Sequence, residues 1–347
     1  MKADEVTTEQ AQDEVRLLRS AEEADPGDFA RSLVVRLLED FSVTGPHGTH
    51  TCLVMELLGP SLLSCLFDSG GIARKNVKVV MRQVLRGLEY LHTKASIIHT
   101  DIKPENVLLA APGSRNLCQV VRGLRVKLAD LGSSCWRAKQ FSPAIGTQEY
   151  RAPEVILDWG YDTPADVWSA ACLAYELATG VYLFPAQTVP KDAWMITRMK
   201  AVLGKFPKTL RRHYGIFQKC LGGDKLQDLP STSLQRMLEQ EQGWEEQEAE
   251  DFSQWLLPML ALDPQVRASA GAAASHPFLG LELRRARTLV RMEEYKHVTE
   301  PGLPPLCVKM ADSLMEEVFD KIAKNGLCSG KAILKFTGES SLQDFSS

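Results

Sequence analysis

No run of about 18 apolar residues occurs in this chain, and its opening MKADEVTTEQ lacks the apolar segment that an export signal requires. No two cysteines form a C-x-x-C pair. The eight present, at 52, 65, 118, 135, 172, 220, 307 and 328, are scattered without metal-ligand spacing, which argues against zinc and against a disulfide framework. Neither sign of charge dominates. Forty Lys plus Arg against 44 Asp plus Glu leave a net charge of -4, so no global basic field points to nucleic acid or to a membrane surface. Internal repeats, long low-complexity segments and the glycine pattern G-x-G-x-x-G are all missing. These absences lead us to expect a soluble monomer, cytoplasmic, nuclear or both, with reduced thiols and no direct contact with nucleic acid or membrane.

What is present suffices for one large or two medium domains: 347 residues, 44% of them hydrophobic. Thr8 to Ala21 places Val15, Leu17 and Leu18 in a polar background without Gly or Pro, which predicts a helix that stops at Asp25-Pro26-Gly27-Asp28. Two strand-like runs, Val34 to Val43 and Thr51 to Leu58, flank Gly45-Pro46-His47-Gly48 and predict a hairpin, with Gly59-Pro60 as a hinge behind it. From Arg74 to Thr93, Val77, Val80, Met81, Val84, Leu85, Leu88 and Leu91 recur at helical spacing. After a loop past Leu109, Leu124 to Asp130 reads as a short strand, and Asp166 to Thr179 as a buried helix. The acid-rich stretch Glu239 to Asp251 reads as a solvated face. The last third shows no strand alternation, and Lys309 to Ser347 is expected to be a terminal helix with a loose end.

Chemistry concentrates in HTDIKPENVLL, His99 to Leu109, which sets Asp101, Lys103 and Asn106 at fixed offsets before an apolar strand. Twenty-four residues after Asn106 comes Asp130-Leu131-Gly132, and 24 after Asp130 the glutamate of Ala152-Pro153-Glu154. This order and spacing resembles the catalytic loop, D-x-G loop and A-P-E element of eukaryotic protein kinases. The resemblance implies that Asp101 accepts the substrate hydroxyl proton, that Lys103 lies against the transferring phosphate, and that Asn106 and Asp130 hold Mg2+ beside ATP. It further implies that Asp166 braces the catalytic loop and that Arg267 pairs with Glu154.

HTDIKPEN with threonine in place of the usual arginine, LADLGSSCW, QEYRAPEV and TPADVWSAACLAYELATGVYLF narrow the likeness. From about residue 3 to 280 the chain resembles the SR protein kinases, serine/threonine kinases that phosphorylate arginine-serine-rich splicing factors. The resemblance implies an α+β protein-kinase-like fold with an incomplete N-terminal β-lobe and a mainly helical C-terminal lobe. Residues 1-58 would be the residual N-lobe, 59-283 the C-lobe and 284-347 a tail. By the same likeness Met55 is the gatekeeper, Glu56 to Leu58 form the adenine hinge, Leu108 lies under the adenine ring and Thr147 touches the catalytic acid. Thr100 in place of arginine implies activity without a phosphorylated activation loop, so Ser133, Ser134 and Ser142 are not expected to be switches.

Three departures stand out. Glu14 matches the helix glutamate that pairs with a strand lysine, but that lysine belongs about 15 residues upstream, and Lys2 is too near to match it. Because the likeness begins abruptly, the expectation is a truncated gene product or alternative start, with weakened catalysis and an exposed sheet edge. Val181 replaces a docking acid, leaving only Asp192 nearby, and the family's internal spacer is reduced to a short loop; weaker docking of a basic tail is expected. The competing reading is a non-catalytic scaffold or regulator, favoured by the missing phosphate loop and opposed by retention of Asp101, Asn106 and Asp130. A LAMMER-type kinase is a lesser alternative, since AWMITRMKAVLG stands where that signature would be.

Overall fold

Helix α1 (Glu5–Glu23) buries Ala11, Val15, Leu18 and Ala21 along one stripe, with Leu17 beside it; Glu9, Gln10, Gln12, Arg16 and Arg19 face solvent, whereas Asp13 and Glu14 are buried. The computed structural model describes residues 5–45, 48–69, 71–110, 117, 122–186, 191–220, 229–280 and 332–336. The helix packs on an antiparallel hairpin of β1 (Leu37–Gly45) and β2 (Gly48–Glu56), in register from Leu37 opposite Met55 to Gly45 opposite Gly48. The first strand starts three residues later than its composition suggests. Val34 instead bridges to Leu128, and Val35 N–H donates to Leu128 O at 2.8 Å, so these residues tie the hairpin to the body below. Pro46 and His47 of the expected turn lie outside the described residues.

A short α2 (Leu62–Ser69) leads to α3 (Arg74–Tyr90), whose valine, leucine and methionine stripe is buried as the spacing predicts. Gly87 on α3 lets the backbone come close to its neighbour, since a Cβ there would stand 2.9 Å from Leu128 Cδ1. Two small ladders then set the chemistry-bearing loops. β3 (Ile97–Ile98) pairs with β6 (Cys135–Trp136), and β4 (Val107–Leu109) pairs with β5 (Val126–Leu128), both antiparallel. The 99–106 loop and the 129–134 loop are thereby held side by side.

After α4 (Pro153–Ile156), α5 (Pro164–Thr179) runs through the core with every residue from Ala165 to Leu177 buried. Its start at Pro164 and its end at Gly180, φ 79°, follow the proline-first, glycine-last rule. Trp168 stacks on Phe184 with ring centroids 5.4 Å apart. Around it lie α6 (Lys191–Leu203), α7 (Lys208–Cys220), α8 (Leu234–Arg236), α9 (Glu246–Leu256) and α10 (Ala270–Ala274). The acidic run largely faces solvent as expected, with Glu248 paired to Arg74. Among the described residues, no helix is long and apolar enough to cross a membrane, and Cys52, Cys65, Cys135 and Cys172 are buried.

One feature overturns two expectations. Residues Ala332–Phe336 form a strand, β7, which pairs antiparallel with β2 from Cys52 opposite Phe336 to Glu56 opposite Ala332. The sheet order is β1-β2-β7, so the edge of β2 expected to lie open is paired. The terminal segment expected to be a helix contributes a strand there. A sheet edge is a row of unpaired backbone donors and acceptors, and pairing it satisfies them whatever the distance along the sequence.

Candidate active site

Thr100 sits in the left-handed region, φ 70°, a costly conformation for a β-branched residue. Its neighbours compel it. Asp166, buried in the first turn of α5, accepts the backbone N–H of His99 at 2.8 Å and of Thr100 at 2.7 Å, and its Oδ2 also meets His92 Nε2 at 2.8 Å. Thr100 Oγ1 donates to Ser133 O at 2.8 Å, and buried Ser134 Oγ donates to His99 O at 2.9 Å. The two loops are thus stitched by uncharged contacts.

Asp101 emerges from this bracing with both oxygens engaged. Oδ1 accepts Thr147 Oγ1 at 2.7 Å and Thr147 N–H at 3.1 Å; Oδ2 accepts Asn106 Nδ2 at 3.0 Å and lies 2.7 Å from Lys103 Nζ. Lys103 Nζ also donates to Thr147 Oγ1 at 3.0 Å, closing the ring. Burial pushes the Asp101 carboxyl up, but the hydrogen bonds from Lys103 and Thr147 and the Lys103 charge outweigh it, and the group ends below the usual carboxylate range.

Asn106 Nδ2 also donates to Asp101 O at 2.8 Å, so its Oδ1 remains as an acceptor. Asp130 is itself left-handed, φ 64°, and its Oδ1 accepts Gly132 N–H at 3.3 Å. Glu14 of α1 reaches the same place. A Cβ on Gly132 would stand 3.2 Å from both Asp130 Oδ1 and Glu14 Oε2, so the sequence-distant carboxylates converge beside this glycine. An amide oxygen and a carboxylate are the hard donors Mg2+ takes when phosphate and water complete its shell. The residues present therefore fit a magnesium nucleotide.

The residues expected around adenine lie at the end of β2 and on β4. Met55 and Glu56 end β2, Leu58 is buried just beyond, and Leu108 on β4 bridges to Ser61. Glu56 Oε1 is engaged by Lys127 Nζ and by Arg36 N–H, and the Glu56 backbone N–H donates to Arg36 O at 3.1 Å. Farther away, Arg267 forks onto Glu154 at 2.6 and 2.8 Å, both side chains fully buried, and donates to Ala261 O and Pro164 O at 2.9 Å each.

Three acids escaped the sequence reading. Glu176 on α5 is buried and accepts Tyr150 Oη; Glu105 lies four residues after Asp101, and Glu149 two after Thr147. Burial pushes the Glu176 carboxyl up to about 7, with Glu105 and Glu149 adding repulsion and the Tyr150 hydrogen bond opposing it. The signal available was a lone carboxylate inside the apolar run ACLAYELA, where a charge is costly. One consequence is measurable. Folded Glu176 keeps a proton that the unfolded chain releases near 4.5, so stability falls as pH rises from 4.5 to about 7. Melting temperature measured across that window should fall less steeply in Glu176→Gln; an unchanged slope would rule this assignment out.

Comparison with known proteins follows the same outline. Residues 2–279 match the family described as protein kinase domain. The serine/threonine-protein kinase SRPK of Physarum polycephalum is 34% identical, over 78% of this chain and 76% of its own. SRSF protein kinase 3 of Homo sapiens is 26% identical, over 78% and 79%, and protein kinase dsk1 of Schizosaccharomyces pombe 25%, over 77% and 72%. The human alignment runs to 449 positions while taking in only 78% of 347 residues, so that relative carries long insertions which this chain does not.

Proposed function

The chain belongs to the SR protein kinase family and is a serine/threonine protein kinase that uses ATP and a divalent cation on protein substrates; from that premise we propose that its substrates are arginine-serine-rich and that these 347 residues transfer phosphate slowly. Supporting the substrate class is Glu105. Its Oε2 is buried without a hydrogen-bond partner, beside Glu176 and within the loop that carries Asp101. Carboxylates crowded together and only partly satisfied are a seat for a cation, and a guanidinium's fork of donors suits them best. An arginine held there sets a neighbouring serine beside Asp101. Docking farther out is correspondingly thin: Val181 is exposed, and Asp192 is already engaged by Gln148 Nε2 at 2.9 Å with Arg151 at 3.9 Å.

In this mechanism the Asp101 carboxylate orients the serine hydroxyl and accepts its proton as the oxygen attacks. Lys103, fixed between Asp101 and Thr147, neutralises charge on the transferring group. Asn106 and Asp130 would hold Mg2+, which would draw charge from the phosphates of bound ATP. Thr100 joins the loops without a charge that would call for a phosphorylated partner, so activity is constitutive. Slowness comes from what the 347 residues do not include, a glycine-rich loop over the phosphates.

The substrate reading is tested with an arginine-serine peptide and its glutamine-for-arginine counterpart across pH. Arginine binding requires ionised Glu176, so KM for the arginine peptide should fall as pH rises through about 7 while the glutamine peptide stays flat. Glu176→Gln should raise the arginine peptide's KM by roughly 10- to 100-fold, the loss of one charge-assisted contact. Equal KM values for the two peptides would remove the arginine-serine assignment.

A further inference from the structure

The chain past α5 is pinned on both sides of one exposed ring. Thr179 Oγ1 accepts Val181 N–H at 3.3 Å, Gly180 turns the backbone at φ 79°, and Leu183 and Phe184 are buried, Phe184 against Trp168. Between these anchors Tyr182 keeps 45% of its surface exposed. Its ring stands at 90° to that of buried Tyr150, with centroids 6.0 Å apart, and Tyr150 Oη is the donor to Glu176. Tyr182 therefore borders the carboxylates that surround Glu105. Burial raises the proton affinity of its phenol, and the charges of Glu176, Glu149 and Glu105 raise it further.

An aromatic face and a group of carboxylates draw the same ligand in complementary ways. The ring attracts a cation over its face, and the carboxylates accept donors around the cation's edge. A guanidinium satisfies both at once, because it is planar, weakly hydrated and carries its N–H groups in its own plane; an ammonium is a compact, strongly hydrated point charge and does so less well. Packing offers a plainer role, in which the edge-to-face pair with Tyr150 merely steadies the turn. In that case Tyr182 affects stability and not the choice of peptide.

We propose that Tyr182 is a specificity-determining residue of the substrate site: an arginine next to the accepting serine lays its guanidinium on the Tyr182 ring and turns its N–H groups to Glu105 and Glu176. The inference deepens the arginine-serine reading above and rests on it.

Three peptides test it on the full 347-residue chain at saturating Mg-ATP: an arginine-serine peptide and its lysine-for-arginine and glutamine-for-arginine counterparts. In the ringless variants Tyr182→Leu and Tyr182→Gln, KM for the arginine peptide should rise about 5- to 30-fold, the worth of one cation–ring contact. Values of kcat, and KM for the glutamine peptide, should stay within about twofold of the parent. KM for the lysine peptide should rise less than that for the arginine peptide, and Tyr182→Phe, which keeps the ring, should restore the arginine value. In a Glu176→Gln background, Tyr182→Leu should raise the arginine KM again. No further rise there would mean that Tyr182 acts only by holding Tyr150 against Glu176, and would overturn the proposal. Equal rises for all three peptides would overturn it too, as would a Tyr182→Phe enzyme as weak as Tyr182→Leu. An unchanged arginine KM in a folded ringless variant overturns the proposal and, where the parent still prefers arginine to glutamine, leaves the substrate reading standing. A parent with equal KM values for the arginine and glutamine peptides overturns both.

Discussion

Asp101→Asn lowers the rate of phosphate transfer about 10²- to 10⁴-fold, the range over which a positioned general base contributes, while Mg-ATP affinity changes little. Both carboxylate oxygens are committed to donors, Oδ1 to Thr147 and Oδ2 to Asn106 and Lys103. An amide nitrogen in place of either oxygen would face a donor, so the substitution removes the base and loosens Lys103 together. KM for Mg-ATP should move by less than about threefold, because the nucleotide's own ligands are elsewhere. The depressed Asp101 carboxyl also fixes a pH profile. Because this group ionises below the usual carboxylate range, kcat should hold steady as pH falls to about 5, the pH at which an unperturbed carboxylate near 3.9 is still mostly ionised. KM for an arginine peptide should meanwhile rise as Glu176 protonates near 7. Steady-state kinetics on the two proteins, with circular dichroism to show both folded, checks each part; an Asp101→Asn enzyme within tenfold of the parent would remove Asp101 from the chemistry.

Arg267→Ala costs about 3 to 5 kcal/mol of stability, the usual loss when one partner of a buried ion pair is deleted. Glu154 would be left charged where its own side chain is only 1% exposed, and Ala261 O and Pro164 O would each lose a donor. The shift in melting temperature should be on the order of 10 °C, given roughly 2–4 °C per kcal/mol for domains somewhat smaller than this one. Replacing both partners by apolar residues of similar volume, Arg267→Met with Glu154→Leu, should recover most of that loss. A double variant as unstable as the single one would show that the stabilisation lies in the carbonyl contacts of Arg267 rather than in its pairing.

Much of the site was legible because it is built from short, local patterns. Asp101, Lys103 and Asn106 lie within six residues of one another, and each needs a particular side-chain chemistry at a particular offset. The helices of the body announce themselves by period, as in α3, or by continuous burial, as in α5. What was not legible is long-range. A five-residue strand such as AILKF carries no alternation to distinguish it from a buried helical turn, and its partner β2 is separated from it by most of the chain. Val34 and Val35 have strand composition but spend it on Leu128 instead of the hairpin, a tertiary preference that no window of sequence contains. Glu176 was passed over because its neighbours are apolar, although that same setting raises its proton affinity.

These 347 residues contain no G-x-G-x-x-G loop to cover the phosphates, and under the proposed function a preorganised phosphate contact worth about 10²- to 10³-fold in rate is absent with it. Protein kinases turn over at roughly 1–100 s⁻¹, so with that loss the expected rate for this chain is on the order of 0.001–1 s⁻¹. The decisive measurement is transfer of labelled γ-phosphate from saturating Mg-ATP to an arginine-serine peptide by the purified 347-residue protein, timed over many turnovers. The account predicts serine phosphorylation within that range, abolished in Asp101→Asn. No transfer from a protein that demonstrably binds Mg-ATP would contradict it in favour of a scaffold, and turnover above about 10 s⁻¹, well inside the range of complete kinases, would contradict the weakened site.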